Sequence, residues 1–308
     1  MKLSKKQKAV VDSSFENSTA TCWNSIWKVL NDTILRLSGP DDMSGIRQCE
    51  WYRKLDDTQW ITVRFCCQTG GLEPEATIAD GIARRFWKDS PIELALRLAI
   101  GARFHSISTQ LIHNSHADSL WRNILQSAAA HDWHAAKAQC QLWSESKVKP
   151  HNPSNALVCD GLTAIFNRDR DSLHAISGKL RQSKAPSYLK AVMSAIVAVE
   201  CADSNIFNDS ICQMLKHCKN FMFGDDLSSL IDVHAIGLLE LSRRKNKDLA
   251  NLFEKNSPLP WDAEYHEWLS QVEDIADLFE IPDVPQWLLK ALFELEKFAW
   301  SPKRSPSL

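Results

Sequence analysis

Ten glycines in 308 residues leave this chain few positions for the tight hairpins, positive backbone angles and phosphate-cradling loops that glycine makes cheap. Twelve prolines add modest punctuation. A chain built this way favours long helices joined by short connections. Twelve tryptophans against three tyrosines point the same way, because large rings in a helical protein fill the gaps between packed helices.

Charge and cysteine usage narrow the function classes. A formal charge of −2 and a pI near 6.6 give no sequence-independent attraction to phosphates, so no nucleic-acid partner is expected. Lys5, Lys6 and Lys8 form too short a cluster to change this, and they belong to a terminus expected to be frayed and solvated. The nine cysteines are odd in number and scattered, the usage of a reducing compartment. No apolar run approaches the roughly 18 residues of a membrane span, and the N-terminus carries no apolar signal region. The expectation is a cytoplasmic chain with no membrane partner.

Apolar spacing then lays out the elements. Phe15, Trp23, Trp27, Leu30, Ile34 and Leu37 predict a long first helix from Ser13 to Leu37, stopped by Gly39-Pro40-Asp41. Ile46 to Cys67 is also read as helix, although Trp60-Ile61-Thr62-Val63-Arg64-Phe65 has strand-like β-branched content. Gly70-Gly71-Leu72-Glu73-Pro74 divides an N-terminal helical segment, 1–72, from a helical-repeat domain, 73–308, packed with it as one unit. Ser90-Pro91-Ile92-Glu93 offers an N-cap serine, proline at N1 and glutamate at N3, and so opens a helix running toward His113.

Beyond this point the chain is weakly repetitive. Ile124 to Ala130 leads into His131-Asp132-Trp133 as a helix-to-helix elbow. The design returns at Asn167-Arg168-Asp169, between Leu162-Ala164-Ile165 and Leu173-Ala175-Ile176, and again at Ala202-Asp203-Ser204. Spacings of roughly 35 residues match helix-pair repeats. The fold class is therefore all-α, a solenoid-like array of antiparallel helix pairs. Tyr188 to Val199 is apolar nearly all round and should be central, Arg243-Arg244-Lys245 should end a helix beginning near Asp226, and a last helix should follow Pro285.

Catalytic signatures are absent from the sequence: there is no G-x-S-x-G, no phosphate loop, no G-x-G-x-x-G and no H-E-x-x-H. No catalytic residue, metal site or cofactor is expected. His113 with His116 and His131 with His134 have one-face helical spacing, but no C-x-x-C pair accompanies them. Arg168 and His174 have the spacing of the arginine-histidine motif of helical-bundle ribonucleases, against which stands a plain solvated elbow. His234 is a buried switch or a satisfied core histidine, and Cys66-Cys67 an ordinary buried pair.

The segment from Trp261 to Asp283 interleaves acids with rings. Trp261, Asp262, Glu264, Tyr265, Glu267, Trp268, Glu273, Asp274 and Asp277 form the candidate partner-binding surface, with rings for burial and acids for steering a basic partner. The plainer reading of the same pattern puts the rings in the core and the acids in water.

Three stretches carry a resemblance. Leu162-Thr163-Ala164-Ile165-Phe166-Asn167-Arg168-Asp169-Arg170, Val233 to Ser242 and Ile281-Pro282-Asp283-Val284-Pro285-Gln286-Trp287-Leu288-Leu289 resemble the elbow helix, the apolar penultimate helix and the closing segment of a family of all-helical immunity proteins. That family, immunity protein forty-nine, belongs to bacterial polymorphic toxin systems, and the likeness covers the C-terminal half. It implies an inhibitor that binds one cognate protein toxin and neutralises it by occlusion. The alternatives are a helical scaffold or secretion adaptor and a helical ribonuclease; oligomeric state stays open.

Overall fold

The computed structural model describes residues 3–18, 74–112, 120–145, 152–221, 227, 229–245, 249 and 260–275. Among them are eleven helices and no strand, the all-α class expected from the scarcity of glycine. No described helix is long and apolar enough to cross a membrane.

Helix α1, Lys5–Ser18, opens on a reciprocal cap. Ser4 N–H donates to Gln7 Oε1 at 2.8 Å, and Gln7 N–H to Ser4 Oγ at 3.2 Å. The expected start at Ser13 is corrected by this Ser-x-x-Gln box, and Lys5, Lys6 and Lys8 are exposed on a formed helix rather than frayed. The remainder of that predicted helix, the Ile46 to Cys67 element with Cys66-Cys67, the Gly70-Gly71 break, His113, His116 and the helix after Pro285 lie outside the described residues.

Helices α2, Pro74–Trp87, and α3, Pro91–Ile112, pack closely on each other, and α1 packs on α2 with Val11 buried. Glu93 does not reach back to cap α3; its carboxylate takes Lys88 Nζ at 2.7 Å.

Three helix pairs follow: α4, Leu120–Ala129, with α5, Trp133–Glu145; α6, Pro153–Asn167, with α7, Arg170–Gln182; and α8, Ser187–Cys201, with α9, Ser204–Phe221. Their elbows share one chemistry. His131, Arg168 and Ala202 take left-handed φ angles of 58°, 60° and 54°, at positions where glycine is the usual residue. An aspartate comes next each time. Its N–H closes the finished helix, Asp132 on Ser127 O at 2.9 Å, Asp169 on Ala164 O at 2.8 Å and Asp203 on Ala198 O at 3.0 Å. Its carboxylate opens the next, accepting from Ala135, Ser172 and Ile206 N–H at 3.1, 3.1 and 2.9 Å. One residue thus ends one helix and starts another at each repeat.

Each helix from α1 to α9 packs on its successor, and α8 borders α6, α7, α9 and α10 as its all-round apolar sequence requires. The array is closed by α10, Val233–Lys245, which crosses back to α4. Gly237 permits that approach, since a Cβ there would lie 2.1 Å from Leu125 O. The expected start of α10 near Asp226 is corrected: 229–232 form a turn, and Asp232 is the cap, its Oδ1 accepting Ala235 N–H at 3.0 Å. Finally α11, Ala263–Leu269, lies against α3.

Trp121, Trp133 and Trp261 fill the core as the composition implied, while Trp87 is 54% exposed.

Candidate functional site

The sequence singled out the α11 segment, and the structure divides its residues between core and surface. Asp262 caps α11, its Oδ1 3.4 Å from Tyr265 N. The helical period then turns Tyr265 and Leu269 inward and Glu264 and Glu267 outward. Tyr265 is wholly buried and donates its hydroxyl to Ala129 O at 2.7 Å, which docks α11 on the end of α4. Trp261 is buried beside His266, with ring centroids 5.0 Å apart. Three of the nine expected surface residues, Trp261, Asp262 and Tyr265, are therefore corrected to interior positions, because their burial is what fastens the segment. Glu264, Glu267 and Glu273 are exposed, Trp268 and Asp274 are half-buried, and Asp277 lies outside the described residues.

Beneath the exposed acids lies Arg85 of α2, itself buried. Its Nε donates to Asp262 at 2.9 Å, Nη2 to Glu264 at 2.6 Å and Nη1 to Asp89 at 2.9 Å. Burial works against the guanidinium, but the Asp262 charge and the hydrogen bonds from Arg85 to Glu264, Asp89 and Asp262 outweigh it and raise its pKa. Next to this cluster, Glu240 of α10 gathers His131, His266 and Arg243, each at 2.7 Å. Arg103 of α3 is bound in the same interior to Asp132. None of Arg85, Arg103 or Glu240 was singled out from the sequence. The available signal was a charge inside an apolar helical run, as with Glu240 between Leu239 and Leu241.

A second buried group joins α8 to the start of α10. Tyr188 donates its hydroxyl to Asp232 Oδ1 at 2.8 Å, and His234 Nδ1 lies 3.4 Å from the same hydroxyl. Burial pushes Asp232 up to about 6, against hydrogen bonds from Ala235 N–H and the Tyr188 hydroxyl. Burial and the Arg122 charge bring His234 down to about 3, so it is a neutral core histidine beside Trp121 at neutral pH.

The paired histidines separate: His131 turns into the core at its elbow, whereas His134 is exposed on α5. Among the described residues no group of three or more His, Cys, Asp or Glu is placed to hold a metal ion. Arg168 is the exposed left-handed cap of α6, and His174 is exposed on α7.

No protein-family model, curated protein or solved structure matches the chain.

Proposed function

We propose that this chain works by binding another protein, as an immunity protein that occludes one cognate toxin. One observation carries the reading. Glu264, Glu267 and Glu273 stand exposed around the half-buried Trp268 on a segment whose other side chains, Trp261, Asp262 and Tyr265, are locked into the core. A charged surface on a fixed base loses little entropy when it meets a partner, and its carboxylates steer a basic partner into contact. Such a surface covers the basic substrate cleft of a nuclease-like toxin. The resemblance supports the same reading: Leu162 to Arg170 is the end of α6 with its Arg168-Asp169 elbow, and Val233 to Ser242 is the buried run of α10.

The test is charge reversal at Glu267, Glu273 and Asp274, which leaves the Arg85 partners intact. With folding verified by circular dichroism, the triple lysine variant should associate with its toxin at least about tenfold more slowly at low salt, with the difference shrinking as salt rises. Unchanged association would remove the binding surface from this segment.

A further inference from the structure

Between the end of α5 and the α6–α7 elbow lies an open cleft of about 370 Å³. Trp143 of α5, Asp160, Thr163 and Asn167 of α6, Asp169 of the elbow and Ile176 of α7 line it. That volume lies within the range of ligand clefts, roughly 300–1,000 Å³.

Its lining is rich in acceptors and has a ring at its edge. Asp160 Oδ1 accepts the Trp143 indole N–H at 2.7 Å, so this carboxylate is fixed beside the indole. Asp169 Oδ1 accepts Ser172 N–H, and hydrogen bonds from the Ser172 hydroxyl and N–H hold the Asp169 carboxyl below its ordinary range. Asp160 Oδ1 and Asp169 Oδ1 each accept one protein N–H, and both carboxylates line the cleft. Thr163 lines the cleft, with its Oγ1 turned into the interior beside the Cys140 thiol. Asn167 adds an amide oxygen, and Trp143 and Ile176 add apolar walls.

This combination suits a flat cation with many donors better than a compact one. A guanidinium offers five N–H donors in one plane and stacks on rings, whereas an ammonium offers three donors and no face. We propose that the cleft binds a guanidinium group, carried by a protein arginine or by a small guanidine compound. The site lies on α5, α6 and α7 and does not depend on the α11 surface, so either can fail without the other.

The probes are N-acetylarginine amide, an acetylated Gly-Arg-Gly amide, methylguanidinium and N-acetyllysine amide, titrated into the full chain. Binding is read from the Trp143 indole ¹H–¹⁵N signal, assigned with Trp143→Phe, and by calorimetry. The arginine amide should shift that signal saturably and bind at least about tenfold more tightly than the lysine amide. Asp160→Asn and Asp169→Asn, which keep shape and capping ability, should each weaken it by about tenfold or more with the fold unchanged by circular dichroism. Tighter binding of the tripeptide assigns the site to protein arginines, and methylguanidinium matching the arginine amide assigns it to small guanidines; both support the class. No saturable shift, equal binding of lysine, or indifference to both asparagine variants would overturn it.

Discussion

His131 and Glu240, far apart in sequence on the α4–α5 elbow and on α10, meet in the interior at 2.7 Å. The other ring nitrogen of His131 lies 2.6 Å from Val272 O, just past α11, so both nitrogens face acceptors. Glu240 also receives His266 of α11 and Arg243 one turn along α10. Its burial disfavours the charge, but the hydrogen bonds from His131 and His266 prevail and hold its carboxyl below the ordinary range. One carboxylate thus ties the elbow, α10 and the segment bearing the exposed acids into a single unit.

Removing that carboxylate should therefore cost more than a surface change. Glu240→Ala leaves Arg243 without its counter-charge and His131 and His266 without their buried acceptor, and should destabilise the fold by roughly 3–5 kcal/mol, with Glu240→Gln milder. Urea unfolding checks this. The lowered Glu240 value also gives the sign with pH: its stabilisation is complete above the ordinary glutamate range and is lost as pH falls through the lowered value. The Gln variant should lack that part of the acid loss.

Asp232 and His234 act in opposite directions over an overlapping range. Asp232, raised to about 6 from 3.8, takes stability away as pH rises from about 4 to about 6. His234, lowered to about 3 from 6.5, takes stability away as pH falls through that interval. The parent should show a shallow dependence there, since the two nearly offset. Asp232→Asn keeps acceptors for Tyr188 and Ala235 and should leave His234 unopposed, so stability should rise steeply with pH between 4 and 6. Thermal unfolding across that range measures the slope.

The elbows hold non-glycine residues in left-handed backbone, and Ala202 has no side-chain bond to compensate. Ala202→Gly should stabilise by roughly 0.5–1 kcal/mol, a rise of a few degrees in Tm by calorimetry. A decrease would mean that the methyl group contributes packing worth more than the relieved strain.

Gly237 presents the reverse case. Any Cβ there meets the Leu125 carbonyl, which is backbone and has no rotamer to escape into. Gly237→Ala should force α10 away from α4 and cost roughly 1–3 kcal/mol or more. Denaturant unfolding reads the loss.

Local chemistry was legible in the sequence, and long-range pairing was not. Helical period and scarce glycine led to the all-α class, and the small-residue run before His131-Asp132, with the recurring apolar pattern around Arg168-Asp169 and Ala202-Asp203, led to the elbows, because an elbow is made by neighbours in sequence. The central place of α8 followed from its apolar faces. The burial of Asp262 could not be read this way, since its partner Arg85 is 177 residues distant. Glu240 was hidden for the same reason: its partners come from three elements, and only the fold brings them together. The start of α10 was misjudged because the capping carboxylate is that of Asp232, which accepts Ala235 N–H.

Affinity capture from the native cell through a high-salt wash is the decisive experiment for the proposal that this chain binds and neutralises one toxin. One stoichiometric partner should be recovered and identified by mass spectrometry, one that arrests growth when expressed alone and is silenced when this chain is expressed with it. A diffuse set of partners, no partner, or a single partner whose activity is unaffected would contradict it.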